Sequence, residues 1–520
     1  MTNEEAPASG FASFSLGKVP AFAEQAQGDH AFRTELLQGV DLTVALRFSD
    51  EVMQVAVMPR NALRITKCQV VFQRAFRVGE KALFNGRLSS DETAEVDVFA
   101  ARPGQAAGVA QGYTFAYLRG AAGCELVGSL DESRGLLRIS MDAFEQQVAV
   151  QPECPCEPIE PGKLHALCEC CCVSVPAEGE AAERAVNAAF ARWFALAGVR
   201  RPVAKPLAGY TSQQRQGAAL CESQLLADLQ GACAVFSSLD ACGHEKVFLL
   251  DSGYCAVGDW LQPSAESFPH GVAPLAKTAR SLGFLPGVAL WPFACERASQ
   301  LYAQHPDWVL ADPQGKPVPV GPRARKLYAL DTLNPQVRDY VSQCVSTLVQ
   351  QWGAQVLRLD GLSAACALAQ GGMNGAQLLV DALDLLRAAA GEDTLLIATD
   401  VPLGCTFGRV DYVATCCQPA AGWNNPTLPW VAGREGRGVR GALASMVFRG
   451  PLNGRAFRAY SGVLPWGSAG KLSPDQLEML MMGAACHSAT LLVSGNMGDW
   501  DARQIAAFQQ ALRLQQAANA

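Results

Sequence analysis

Three short apolar runs in the second half of the chain each stop on a carboxylate. They are Val247-Phe-Leu-Leu-Asp251, Val356-Leu-Arg-Leu-Asp360 and Thr394-Leu-Leu-Ile-Ala-Thr-Asp400. Carboxyl groups gathered from separate segments can divide labour. An ionised one attacks or stabilises a cation, and a protonated one delivers a proton. Tryptophans accompany them: Asp259-Trp260 follows the first run, and Trp291 ends Gly287-Val-Ala-Leu-Trp291. Indole beside several carboxylates suits a sugar, whose C–H face packs on the ring while its hydroxyls donate to the acids. An aspartate after a strand also caps the next helix, so a single one would carry little weight. Three in this setting favour a pocket.

These residues need elements that bring them together. Short hydrophobic runs separated by long stretches rich in Ala, Leu and Gln read as buried parallel strands alternating with helices. Leu491-Leu-Val-Ser494 is a further run of the same form. Repeated endings on functional side chains predict a (β/α)8 TIM barrel, whose site gathers at the strand C-termini. A doubly wound sheet is the rival architecture. From about Gly10 to Val150 the pattern changes to short β-branched segments such as Leu42–Phe48, Gln54–Met58, Cys68–Phe72 and Ala94–Phe99, punctuated by Gly, Asn, Ser and Asp. That predicts an N-terminal antiparallel β-sandwich. Residues 180–197 carry apolar positions at helical spacing (Ala185, Ala188, Ala189, Phe190, Trp193, Phe194). The expected organisation is a sandwich domain over 1–175, a linker helix over 176–205 and the barrel over 206–520.

The bulk composition narrows the function classes. With 520 residues, 49% hydrophobic and 18% charged, the chain is globular and long enough for two domains. The net charge of −7 and the lack of a Lys/Arg cluster argue against a nucleic-acid partner. No apolar run approaches the ~18 residues of a membrane span, and Met1-Thr-Asn-Glu-Glu has no basic and apolar leader. Nineteen cysteines without an export signal fit reduced thiols in a cytoplasm. Cys154-Pro-Cys156 and Cys168-Glu-Cys-Cys-Cys172, with His165 between them, offer thiols for a tetrahedral zinc through the Cys168/Cys171 spacing. Structural or incidental thiols are the preferred reading, and neither a metal nor a cofactor is expected. Homo-oligomerisation is left open.

The order of motifs resembles glycoside hydrolase family 36, the melibiase-type α-galactosidases. Asp251-Ser-Gly-Tyr-Cys-Ala-Val-Gly-Asp-Trp260, Phe268-Pro-His-Gly271, Gly283–Phe293, His305-Pro-Asp-Trp308, Leu330-Asp-Thr-Leu-Asn-Pro335 and Leu357-Arg-Leu-Asp360 carry the likeness. Val401-Pro-Leu-Gly404, Phe407–Tyr412 and Leu492-Val-Ser-Gly-Asn496 extend it, and Phe84-Asn-Gly86 is similar to the family's sandwich. The resemblance implies a retaining mechanism on an α-linked galactoside or related sugar, with Asp360 as nucleophile. It places Arg358 where the family has a Lys, and gives Asp251, Asp259, Trp260 and Trp291 to the sugar. It also marks departures. The family's acid/base Asp is matched by Gln418, which hydrogen-bonds but delivers no proton at neutral pH. The paired acids for galactose hydroxyls become Asp251-Ser252, and a later Asn-Asp-Pro-Asp loop falls at Ala459-Tyr-Ser-Gly462. Asp400 is the candidate replacement acid, its pKa expected to rise beside Asp360. The alternative is a catalytically inactive protein that binds carbohydrate.

Overall fold

The computed structural model describes the backbone of residues 10–19, 28–36, 40–49, 51–100, 107–177, 182–214, 220–240, 242–321, 326–419, 422–423, 438–466 and 472–519. The chain divides into two compact units. One comprises Met1–Arg87, Glu95–Val199 and Leu368–Val380, and the other Leu88–Ala94, Arg200–Ala367 and Asp381–Ala520. The division is therefore interleaved rather than sequential: Leu88–Ala94 and Leu368–Val380 each group with the opposite part of the chain. The first two positions expected for the helix over 180–197 lie outside the described residues, and the helix runs Ala182–Ala197.

Two sheets form the first unit. Five strands run in the order Gly10–Val19, Leu63–Gln73, Gln147–Pro152, Leu137–Asp142, Val109–Tyr113. Eight run in the order Gly28–Leu36, Val40–Ser49, Val52–Pro59, His165–Pro176, Gly123–Ser129, Phe115–Gly120, Lys81–Phe84, Val96–Asp97. Alternation explains the layering. In Leu137–Asp142 every second residue is buried, and Leu137, Ile139 and Met141 join Val44, Leu46, Val55, Val57 and Val150 in one core drawn from both sheets. The expected sandwich is present, with one departure: Gly10–Val19 pairs parallel to Leu63–Gln73.

The same alternation settles the thiols. Cys168, Cys170 and Cys172 sit on the core side of His165–Pro176, with Cys170 in the core and the other two packed against it. Residues three apart in a strand point to opposite faces, so Cys168 and Cys171 form no zinc knuckle. Among the described residues no group of three His, Cys, Asp or Glu is arranged to hold a metal ion.

One acid lies inside the first unit. Glu132 is 1% exposed and accepts from the Leu137 N–H at 3.0 Å and the Thr114 hydroxyl at 3.1 Å. Burial pushes its carboxyl up to about 8. The folded form thus holds its proton more tightly than the unfolded chain. The stability this contributes is fully present below the unfolded value of 4.5 and is lost as pH rises through 8. At about 1.4 kcal/mol per pKa unit the loss is on the order of several kcal/mol. Thermal melts of the wild type should fall between pH 5 and pH 9, and Glu132→Gln should flatten that fall. An unchanged slope in the variant would rule out this assignment.

Parallel strands organise the second unit. The hydrogen-bonded order is Arg458–Tyr460, Tyr412–Ala414, Leu395–Ala398, Val356–Leu359, Leu285–Leu290, Glu245–Leu250, Leu207–Thr211, Thr490–Val493, Val463–Leu464. The two ends of this list are neighbours in sequence. Arg458–Tyr460 pairs with one side and Val463–Leu464 with the other, so a single strand, interrupted at Ser461-Gly462, closes an eight-stranded ring. The doubly wound alternative is thereby excluded. The ring is filled by Leu207, Val247, Leu249, Ala289, Val356, Ile397, Tyr412, Ala414, Tyr460 and Leu492, the layered interior of a TIM barrel. Helices such as Glu222–Ser238, Pro335–Gln350 and Pro474–His487 follow strands, but only the short turn Gly404–Thr406 lies between Leu395–Ala398 and Tyr412–Ala414.

Candidate active site

Period-two alternation carries the barrel interior up to its mouth. Val247 and Leu249 face inward, so Asp251 does too; Val356 faces inward, and Arg358 and Asp360 follow in phase. Likewise Ala289 leads to Trp291 and Ile397 to Thr399. All lie at the C-terminal ends of their strands, on the face where barrels assemble their sites.

These side chains meet in one network. Arg358 Nε donates to both oxygens of Asp360 at 3.0 and 3.1 Å. Its Nη2 donates to Asp360 Oδ2 at 2.8 Å and to Asp251 Oδ2 at 2.6 Å. The Thr399 hydroxyl donates to Asp360 Oδ1 at 3.1 Å. Asp251 Oδ1 accepts from the Ser252 N–H at 2.7 Å, and the Asp251 N–H donates to Ser212 Oγ at 2.8 Å. One guanidinium therefore bridges two carboxylates, the fork geometry for which Arg is suited and Lys is not. Arg358 Nη1 is buried without a partner.

The electrostatics follow from burial and that bridge. Burial alone would lower Arg358, but Asp251 and Asp360 outweigh it and hold the guanidinium well above its usual value. Burial pushes the Asp360 carboxyl up, while Arg358 and the Thr399 hydroxyl pull it back. Tyr460 sits over the same cluster. Its phenol is pushed up to about 12 by burial, with Arg358 opposing the rise.

The tryptophans separate in role. Trp291 is half-buried, and its ring lies against Gly361, the residue after Asp360. A Cβ there would come within 2.2 Å of the indole, and Gly361 has a φ of 60°. Both demands admit only glycine. The indole is thus only partly covered and stands next to the residue that follows Asp360. Trp260 does not: it is 1% exposed, packs against Tyr254, and its carbonyl accepts from the Tyr254 hydroxyl at 3.2 Å. The expectation that it stacks on a ligand is corrected, because it is interior packing.

Asp259 is likewise a cap. Its two oxygens accept from the Gln300 and Leu301 N–H groups, each at 2.9 Å, so they hold the first turn of helix Gln300–Gln304. Asp400 falls out of phase with the inward positions and has a φ of 52°, in the left-handed region. Its two oxygens accept from the Ser90 and Ser363 hydroxyls, each at 2.5 Å. Gln418 is exposed, and its amide mimics a strand rung. Nε2 donates to the Val463 carbonyl at 2.9 Å, and Oε1 accepts from the Val463 N–H at 3.1 Å. It therefore spans the ring across the Ser461-Gly462 interruption.

The structure thus brings together Asp251, Arg358, Asp360 and Trp291, and adds Thr399 and Tyr460, which sequence reasoning missed. Thr399 was findable: Ile397 is inward, so 399 and not 400 takes the inward place. Tyr460 was hidden because Ala459–Gly462 read as a loop.

The second unit is thus a closed parallel TIM barrel with two carboxylates, a cation and a half-buried indole at its C-terminal mouth. Known proteins share parts of this chain's sequence and its fold. The melibiase family model matches residues 247–365, which contain Asp251, Trp291, Arg358 and Asp360. A 123-residue stretch is 35% identical to α-galactosidase 2 of Pediococcus pentosaceus, covering 22% of this chain and 16% of that protein. A 109-residue stretch is 32% identical to the α-galactosidase of Escherichia coli, covering 19% and 14%. The matched stretch is thus a small part of these relatives' length. Among solved structures, TtGalA, an α-galactosidase from Thermus thermophilus in complex with stachyose, superposes with a TM-score of 0.69 at 24% identity, over 93% of this chain and 99% of that one. The family 36 α-galactosidase AgaB from Geobacillus stearothermophilus gives 0.63 at 14% identity, over 91% and 66%. Over the matched stretch the chain is similar to α-galactosidases of the melibiase family, and its fold is similar to that of solved family 36 α-galactosidases.

Proposed function

We propose that the barrel mouth binds the galactosyl end of an α-linked galactoside and cleaves it slowly with retention, Asp360 being the nucleophile. The observation that carries this reading is the Asp251–Arg358–Asp360 bridge beside the half-buried Trp291. A sugar seated on the indole would present its anomeric carbon to Asp360, while Asp251 and Arg358 would take its hydroxyls. Related structures are complexes with stachyose and with p-nitrophenyl α-D-galactopyranoside, which supports the choice of sugar. The nucleophile is ionised beside a permanent cation, and its raised pKa moves the acid limb of the rate profile upward from that of an ordinary aspartate.

Proton delivery is the weak step. Gln418 has its amide tied to the Val463 backbone and no proton to give. In this reading Asp400 positions Ser90 and Ser363 rather than serving as the acid, because each of its oxygens already accepts from a hydroxyl. Without general acid help the rate falls by roughly 10²–10⁴-fold for a poor leaving group. Binding without turnover is the second reading, favoured by the grip of Arg358 on both oxygens of Asp360. The chain has no disulfide among its 19 cysteines, in keeping with a cytoplasmic setting. Among the described residues no helix is long and apolar enough to cross a membrane.

A panel of aryl and alkyl α- and β-galactosides separates the two readings. Slow release of nitrophenol from the α-anomer alone, with little or no action on raffinose-type sugars, is expected. Binding of galactose with no release from any aryl glycoside would establish the second reading.

A further inference from the structure

We propose that the outer face of the first unit carries a second binding site, for a small ligand bearing a carboxylate or phosphate group, built by Arg87, Tyr113, Arg138 and Gln151. It does not rest on the barrel or its chemistry. The register of the five-stranded sheet places Arg138 directly opposite Tyr113 on one neighbour and Gln151 on the other. Leu137 and Ile139 face the core, so Arg138 and its two partners form a row on the outer side. Arg87, Leu136, Pro152 and Glu153 complete a cleft of about 210 Å³ around that row.

The lining is rich in donors and positive on balance. Two guanidinium groups face one carboxylate, and the Glu153 Oε2 already accepts from the Leu136 N–H at 3.1 Å. The Arg138 Nη2 is held by the Gln111 side chain, which fixes the plane of the fork. Its Nε is buried with no acceptor in the protein. That Nε is closed off from solvent, so an anion entering the cleft would meet the outer nitrogens of Arg138 and the exposed Arg87 guanidinium. Guanidinium forks match carboxylate and phosphate oxygens in pairs. A neutral polyol lacks the charge that would repay desolvating two arginines. The concentration of positive charge is local, in a chain of net charge −7.

Calorimetric titration of the whole protein with galacturonate, inorganic phosphate and galactose at low ionic strength tests the site. An anionic probe should bind, and raising the salt should weaken it. Arg87→Met and Arg138→Met should each weaken that probe roughly tenfold or more, while galactose binding stays as in the wild type. The two anions distinguish a carboxylate site from a phosphate site. Arg87 is exposed, so Arg87→Met gives a reading even if Arg138→Met melts early. The proposal is overturned if neither anion binds up to ~10 mM, if Arg87→Met binds as the wild type does, or if galactose is weakened as much as the anions. Failure of the aryl galactoside panel would leave this result untouched.

Discussion

Arg358→Met should destabilise the barrel by roughly 3–5 kcal/mol at neutral pH, the cost of removing one partner from a buried ion pair. The substitution keeps the length of the side chain but removes the cation on which Asp251 and Asp360 converge. Two carboxylates then face each other inside the ring with no counter-charge. Asp360 loses the pull that now offsets its burial, so its pKa rises further. The sign of the pH dependence follows. A carboxyl whose folded pKa lies above its unfolded value adds stability below the unfolded value and loses it as pH rises through the folded one. The gap between variant and wild type should therefore be widest at neutral pH and narrow toward pH 4. Arg358→Lys retains the charge without the fork and should lose less. Pairing Arg358→Met with Asp251→Asn should recover part of the stability by removing one of the opposed charges. Thermal melts from pH 4 to 8 read all of these, and a pH-independent gap would point to lost packing instead of lost charge.

Legibility of the site from sequence follows the reach of period-two alternation. Asp251, Asp360 and Trp291 end unbroken strands whose inward phase is set by Val247 and Leu249, by Val356 and by Ala289, so their convergence could be read directly. The same rule, applied from Ile397, would have chosen Thr399 over Asp400. The carboxylate drew attention because of its chemistry, not its phase. Asp259 and Trp260 lie in a loop, where no period constrains direction, and local backbone amides and core packing claimed them. Gln418 was read as a residue unable to deliver a proton, and its pairing with Val463 depends on how the strand breaks at Ser461-Gly462. No local signal announces that break. Ser90 reaches Asp400 from a segment 310 residues earlier, a contact that one sequence cannot reveal. In the first unit the β-branched runs gave the sandwich, whereas the parallel pairing of Gly10–Val19 is a property of register and not of composition.

Asp360→Gly should lower release of nitrophenol from an aryl α-galactoside by roughly 10⁴-fold or more, the scale seen when an essential nucleophile is removed. An activated phenolate leaves without a proton, so the missing acid at Gln418 does not mask the effect. Exogenous azide then discriminates the roles by stereochemistry. In the wild type, Asp360 displaces the phenolate from the β face, and azide captures the glycosyl-enzyme from the α face, giving the α-galactosyl azide with retention. In Asp360→Gly the space left by the carboxylate admits azide itself, which attacks the anomeric carbon from the β face as the C–O bond breaks. The product is the β-galactosyl azide, with inversion. Arg358, now facing one carboxylate fewer, stays to attract the anion, so the rescue should be strong and should weaken with salt. Asp400→Asn serves as the contrast: if Asp400 only orders Ser90 and Ser363, turnover of the aryl substrate changes by less than about tenfold and azide restores nothing. A retained azide product from Asp360→Gly would remove Asp360 from the nucleophile's role, since some other group would still be attacking from the β face first.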